Sequence, residues 1–289
     1  MDKIITKDKA FRLIGAGCSH TQGCAYGLLG DNIEWINDTV AKQMGVPCSQ
    51  RYITDNLTWM AGLKRHINIG KIYNFGFGGA GTTSVLRALK NFIVKVNDFS
   101  DLLVIVQIAN PIRDEMHFRV NSNRDWDVIN VKELVHNRDR LLGSDFNMEE
   151  FGRTFLLNQL NLPFRALDYL YELYYLQNIF EKLGAHFRVF YGPFGGLEAT
   201  LDDIRQYEKA YYKRYSSLGY ERDIQGIISP SEMLQKLNVI NVEIVRSKPH
   251  TLHSEGLVKN DTHLSKKGNE LLADAIFRGL NDKYEFQVQ

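Results

Sequence analysis

Residues 102–108 read LLVIVQI, a nearly continuous run of leucine and β-branched residues. That composition predicts a central strand of a parallel sheet, buried on both faces so that no polar–apolar alternation survives. Working back from it, Thr82 to Val96 carries Val85, Leu89, Phe92, Ile93 and Val96 at helical spacing. Lys71 to Phe75 reads as a strand and Thr54 to His66 as a helix. Asp31 to Met44 reads as another helix, with Asp31 as its N-cap and Ile33, Ile36, Val40 and Met44 on its inner side. Phe11 to Ile14 is a short apolar run that ends in Gly15-Ala16-Gly17, as expected of a first strand delivering a tight loop.

Working forward, Arg119 to Met148 is polar and weakly periodic, which predicts an insertion or long loop over the sheet edge. Leu162 to Leu183 gives the clearest helix, followed by the strand-like His186 to Tyr191. A last helix begins after the N-cap Ser265, with Leu271, Leu272, Ala275, Ile276 and Leu280 on one face. Alternating strands and helices of this kind imply an α/β fold, a three-layer α/β/α sandwich around a central, mainly parallel sheet. Its ligands bind at the carboxyl ends of the strands. A single domain over residues 1–289 is expected, with the insertion at about 119–148.

Composition narrows the function. Hydrophobic residues make up 44% and charged residues 24% of the 289-residue chain, the balance of a packed globular protein. A net charge of +1 with mixed signs offers no basic stripe for nucleic acid. Cys18, Cys24 and Cys48 show neither paired C-x-x-C spacing nor a disulfide framework. The first residues, MDKIITKDKAFRLIGAG, lack the apolar core of a signal peptide, and no stretch approaches the roughly 20 apolar residues of a membrane span. The expectation is a cytoplasmic protein without a membrane partner.

Three loops that follow strand-like runs carry small or polar residues suited to acyl transfer: Gly17-Cys18-Ser19-His20-Thr21, Asn74 to Gly81, and Asn110. The segment GCSHTQG resembles the first block of the SGNH, or GDSL, hydrolases, in which a serine follows the first strand within a Gly-Asp-Ser pattern. Asn74-Phe-Gly-Phe-Gly-Gly is similar to their second block, LVIVQIAN to their third, and Asp261-Thr262-His263 before the last helix to their fourth. The four blocks span nearly the whole chain in the family's order. The resemblance implies Ser19 as nucleophile and Asp261 and His263 as its triad partners. It implies an oxyanion hole from the Ser19 backbone, Gly79 (or Gly78) and the side chain of Asn110.

That chemistry is physically coherent. A serine hydroxyl needs an imidazole within hydrogen-bond reach to take its proton, and a carboxylate on the other ring nitrogen fixes the tautomer. Preorganised donors must already point at the developing oxyanion. The sequence departs from the family pattern at Cys18, where an aspartate is usual, and at Ala109 and Pro111 around Asn110. Asn260 stands at the usual acidic position, so Asp261 is the local carboxylate. Arg113 and Glu115 are candidates to orient substrate, or each other as an exposed ion pair. Asn121, Asn123, Arg124 and Trp126 are of types that bond hydroxyls and stack on sugar faces.

Other readings compete. Ser19 alone fits a backbone-bonded turn serine, and Asp261 and His263 fit surface groups before a helix. Gly76, Gly78 and Gly81 satisfy G-x-G-x-x-G between a strand and a helix, yet the next strand ends at Asn110 rather than an acid, and Thr82 and Thr83 stand where a phosphate loop needs lysine. Cys18, His20, Cys24 and His66 fit no closed zinc pattern. Tyr169, Tyr171, Tyr174 and Tyr175 recur at helical spacing with Leu170, Leu173, Leu176 and Ile179, which favours core packing over sugar stacking. The reading reached is an esterase acting on small acyl esters, O-acetyl groups on carbohydrate among them, with no metal or organic cofactor. A lipid esterase or thioesterase and a catalytically inactive binding module remain the alternatives, and oligomeric state is left open.

Overall fold

The computed structural model describes residues 5, 9–23, 54–76, 81–108, 115–119, 126–130, 162–191, 230–240, 242, 264 and 266–280. Its strands are β1 (Phe11–Gly17), β2 (Ile69–Gly76), β3 (Leu102–Ile108), β4 (Glu115–Arg119), β5 (Trp126–Asn130) and β6 (His186–Tyr191). Its helices are α1 (Ser19–Gln22), α2 (Trp59–Leu63), α3 (Thr82–Lys95), α4 (Leu162–Lys182), α5 (Pro230–Lys236) and α6 (Lys266–Gly279).

Every residue of β3 is buried, as the apolar run predicts. Its side chains divide by the two-residue period of a strand. Val104, Val106 and Ile108 join one core, built from Val85, Leu86, Leu89 and Phe92 of α3, the inner face of α4, and α5. Leu103 and Ile105 join the other, with Trp59, Met60 and Leu63 of α2 and Leu272, Ala273 and Ile276 of α6. Helices therefore cover both faces of the sheet, and the fold is the expected three-layer α/β/α sandwich.

The sheet is parallel in the order β2-β1-β3-β6. Val239 adds a parallel bridge to Val189 beyond β6. From β1 the chain moves one way to β2, then crosses back over β1 to β3 and continues to β6. The order thus reverses at β1, and the crevice of such a sheet opens at the carboxyl ends of β1 and β3. At the opposite end, Arg12 anchors the start of β1 to the 98–101 turn through the Asp98 carboxylate at 3.0 Å and the Ser100 carbonyl at 2.7 Å. The Ser100 hydroxyl and amide donate to Asp98 and hold its carboxyl below the ordinary carboxylate range, aided by Arg12.

Several elements differ from the sequence reading. Gly15-Ala16-Gly17 continues β1 instead of forming a loop. The expected helix over 54–66 is interrupted: Thr58 caps α2 afresh, its hydroxyl accepting from the Ala61 amide at 3.3 Å. The 119–148 insertion overlaps a regular ribbon, β4 pairing antiparallel with β5 from Glu115↔Asn130 to Arg119↔Trp126. The alternation of polar Glu115, His117 and Arg119 with apolar Met116 and Phe118 fits a strand, but over five residues it is too short to stand out in a polar stretch. On α4, Leu170, Leu173, Leu176 and Phe180 form the inner stripe, whereas Tyr175 is 70% exposed and Ile179 lies at the surface; only part of the tyrosine set packs in the core. The helix expected over 31–44 lies outside the described residues.

Ile105, fully buried at the centre of β3, tests the layer arrangement. Ile105→Ala should lower unfolding free energy by about 2–5 kcal/mol. Val94→Ala, at an exposed position of α3, should change it by less than about 0.5 kcal/mol. Urea unfolding of the two variants measures the contrast.

Candidate active site

Ser19 is the first residue of α1, separated from the end of β1 by Cys18 alone. The carbonyl of Cys18 accepts from the amides of Thr21 and Gln22, both at 3.0 Å, which turns the chain sharply as it leaves the sheet. The amide of Ser19 belongs to the first turn, where a helical N–H has no acceptor within its own helix. The nucleophile candidate thus stands at the carboxyl end of β1, where the strand order reverses.

Beneath it lies a buried polar chain. The Thr21 hydroxyl donates to Gln107 Oε1 at 2.6 Å, and the Cys18 thiol reaches the same oxygen at 3.5 Å. Trp59 Nε1 donates to Thr21 Oγ1 at 3.4 Å. Thr21, Gln107, Cys18 and Trp59 are all buried. The Trp59 amide in turn donates to Asn269 Oδ1 at 3.0 Å, and Asn269 Nδ2 donates to the Leu264 carbonyl at 3.3 Å. One connected set of hydrogen bonds therefore runs from the residue after His263 to the helical turn begun by Ser19 and on to β3, three residues before Asn110.

The third side of the site is held by Asn74. Its Nδ2 donates to the Gln22 carbonyl at 3.2 Å and to Thr54 Oγ1 at 2.9 Å, while its Oδ1 accepts from the Gly76 amide at 2.8 Å. This ties the end of α1 to the end of β2. Gly76 is required by the closeness of that approach: a Cβ there would fall 2.6 Å from Gln22 Cα. Packing thus accounts for the first glycine of the G-x-G-x-x-G match. Gly81, the last, is the N-cap of α3.

Of the residues singled out from sequence as site candidates, Ser19, Glu115 and Trp126 fall on described backbone, Glu115 opening β4 and Trp126 opening β5. Gly78, Gly79, Asn110, Arg113, Asp261 and His263 lie outside the described residues. Their described neighbours are Gly76 and Gly81, Ile108, and Leu264, which is buried one residue beyond His263. Of the imagined metal ligands, Cys18 sits at the carboxyl end of the sheet. His66 precedes β2 at the amino end, where it bonds to Asp274 at 2.7 Å and stacks on Phe277. The two cannot share an ion. Among the described residues no three histidine, cysteine or acidic side chains gather as a metal site, and no helix is long and apolar enough to cross a membrane.

Gln107, Thr21, Trp59 and Asn269 were missed as site residues. The available signal was the glutamine inside LLVIVQI, since a polar side chain in a strand buried on both faces must find a partner.

No family model matches the sequence, and no curated protein matches it. Among solved structures, the chain is similar to an acetyl xylan esterase from Butyrivibrio proteoclasticus, at 12% identity and a TM-score of 0.45, over 98% of this chain and 65% of that one. It is similar to a catalytic mutant of an acetylxylan esterase from Geobacillus stearothermophilus, at 14% identity and a TM-score of 0.43, over 98% and 97%. A member of the lipolytic protein G-D-S-L family from Veillonella parvula gives 10% identity and a TM-score of 0.40, over 93% and 97%. At these values the likeness assigns no activity and no residue to this chain.

Gly76→Ala should push α1 away from β2 and cost about 1–3 kcal/mol of stability through overpacking. Thermal unfolding checks it, and an unchanged midpoint would show that the approach of Gln22 to β2 is looser than described.

Proposed function

We propose that this chain is a serine esterase of the SGNH type that cleaves small acyl esters through an acyl-serine intermediate. The observation that carries the reading is the position of Ser19, opening a helical turn at the carboxyl end of β1, at the reversal of strand order. The hydrogen bonds that link this turn to Leu264 support it further, because they tie the chain beside His263 to the same buried Trp59.

In this reading Ser19 Oγ attacks the ester carbonyl while His263 takes its proton, and Asp261 holds the imidazole in the required tautomer. The tetrahedral oxyanion is met by the Ser19 amide, the Gly79 amide and the Asn110 carboxamide. Collapse expels the alcohol, protonated by His263. Water, deprotonated by the same imidazole, then releases the acid and regenerates Ser19. Neither step calls for a metal or organic cofactor.

Ser19→Ala should abolish hydrolysis of a short-chain aryl ester without lowering the melting temperature, and His263→Ala should be about as damaging, since triad members act as a unit. Native activity should rise with pH across about pH 5 to 8 as an imidazole loses its proton, the neutral form being the competent base. Full activity in either variant would end the assignment. A folded native protein that a serine-reactive fluorophosphonate does not label would instead favour an inactive binding module.

The natural substrate in this proposal is an O-acetyl ester on a carbohydrate. Its support is the side-chain chemistry of the 119–148 stretch, where Asn121, Asn123, Arg124 and Trp126 suit sugar hydroxyls and faces, with Arg113 as a further substrate contact. Acetyl aryl esters should then give a higher kcat/KM than butyryl or octanoyl esters, and acetylated oligosaccharides should release acetate. Preference for octanoyl esters would turn the reading toward a lipid esterase.

A further inference from the structure

Gln107 is the single polar residue of a seven-residue strand buried throughout, and it is 1% exposed. A carboxamide in that setting is costly unless its oxygen is used. Here Oε1 accepts from two groups on the loop that carries Ser19: the Thr21 hydroxyl at 2.6 Å and the Cys18 thiol at 3.5 Å. These flank Ser19 on both sides in sequence. Space around the contact is exhausted, because a Cβ on Gly17 would fall 2.7 Å from both Gln107 Cβ and Gln107 Oε1. Thr21 Oγ1 also accepts from Trp59 Nε1 at 3.4 Å.

The geometry points to Gln107 as a positioning residue that, acting through Thr21, sets the placement of Ser19 relative to the end of β3 and hence to Asn110. This inference rests on the esterase reading above and adds to it a residue outside the triad and oxyanion hole. Ser19 opens α1 after β1, and Asn110 follows β3 by two residues in sequence, so the distance between nucleophile and proposed oxyanion donor depends on what joins the ends of these strands. Backbone pairing of β1 with β3 extends to Ala16↔Val106. Beyond that point the carboxamide–hydroxyl bond continues the connection, side chain replacing backbone. A buried, charge-free bond at 2.6 Å suits the task, since it holds one geometry and does not titrate with the histidine.

Misplacement of a reacting group by about 1 Å costs roughly 10²-fold in rate, and it appears in kcat when ground-state binding is unchanged. Gln107→Met keeps volume and removes the acceptor; Thr21→Val keeps shape and removes the donor; Thr21→Ser keeps the donor. The test measures kcat, KM and fluorophosphonate labelling rate on the full chain with an acetyl aryl ester, at a temperature where circular dichroism shows each variant folded. Gln107→Met and Thr21→Val should lose about 10²-fold in kcat and a similar factor in labelling, with KM within about twofold. Thr21→Ser should stay within about threefold of native, and the pH midpoint of the active variants should not move.

Native kcat in folded Gln107→Met and Thr21→Val overturns the inference, as does an equal loss in Thr21→Ser and Thr21→Val. Should Gln107→Met fail to fold, the threonine pair decides alone. Failure of the underlying reading is separately visible: a native protein that is not labelled, or a Ser19→Ala variant that is, overturns the esterase assignment and the inference with it. Labelled native protein with indifferent Gln107 and Thr21 variants overturns the inference alone.

Discussion

The hydrogen bond from Thr21 to Gln107 is the contact through which the first loop of the fold is joined to its central strand. It lies where backbone pairing between β1 and β3 has ended, so nothing in the sheet ladder replaces it. Around it the constraints are mutually reinforcing. Glycine is needed at position 17 because the Gln107 side chain occupies the space a Cβ would take. Trp59 turns its indole N–H toward the same hydroxyl while its ring system meets Phe190 in a T-shaped contact, with ring centroids 5.6 Å apart. The polar chain is thereby enclosed by apolar packing, which strengthens each bond and raises the cost of leaving any group unpaired.

Legibility in the sequence followed how local the determining physics is. β3 and β6 were readable to the residue, and α3 and α4 to within one, because apolar runs and 3.6-residue stripes are written directly in the chain. The break before α2 was not, because it depends on the Thr58 hydroxyl finding Ala61, and one threonine at Thr58 inside a run of helical periodicity does not decide between helix interior and cap by itself. The β4–β5 ribbon was missed for a related reason: its strands are short and its pairing is decided across the hairpin rather than within either strand. Tyr175 shows the converse failure, a periodic aromatic that faces solvent because the inner stripe of α4 is already filled by leucine and phenylalanine.

The site was legible as chemistry and illegible as scaffold. Ser19 stood out because serine after a strand and before a helix has a functional precedent in the resemblance. The residues that hold its loop, Gln107, Thr21, Asn74 and Asn269, act over long separations in sequence: 86 residues for Thr21 with Gln107 and 210 for Trp59 with Asn269. No window of sequence contains both partners. What remained readable was the anomaly itself, a glutamine in a strand that had no solvent-facing side.

Cys18 can be understood in the same frame. The resemblance expects an aspartate before the nucleophile, and an ionised carboxylate at a 4%-exposed position would need charge-assisted partners to offset its desolvation. Here the neighbour is the oxygen of Gln107, an acceptor facing what would be another acceptor. A carboxylate and a carboxamide oxygen at that separation would repel unless the amide turned over, and turning it would end the bond by which the Thr21 hydroxyl donates to Gln107. A thiol removes the conflict, since it is a weak donor, carries no charge when protonated, and packs as a small apolar group. Cysteine at 18 and glutamine at 107 are therefore compatible neighbours: the Thr21 hydroxyl satisfies the Gln107 oxygen at 2.6 Å, and the thiol at 3.5 Å adds a weak donor in place of a second buried acceptor.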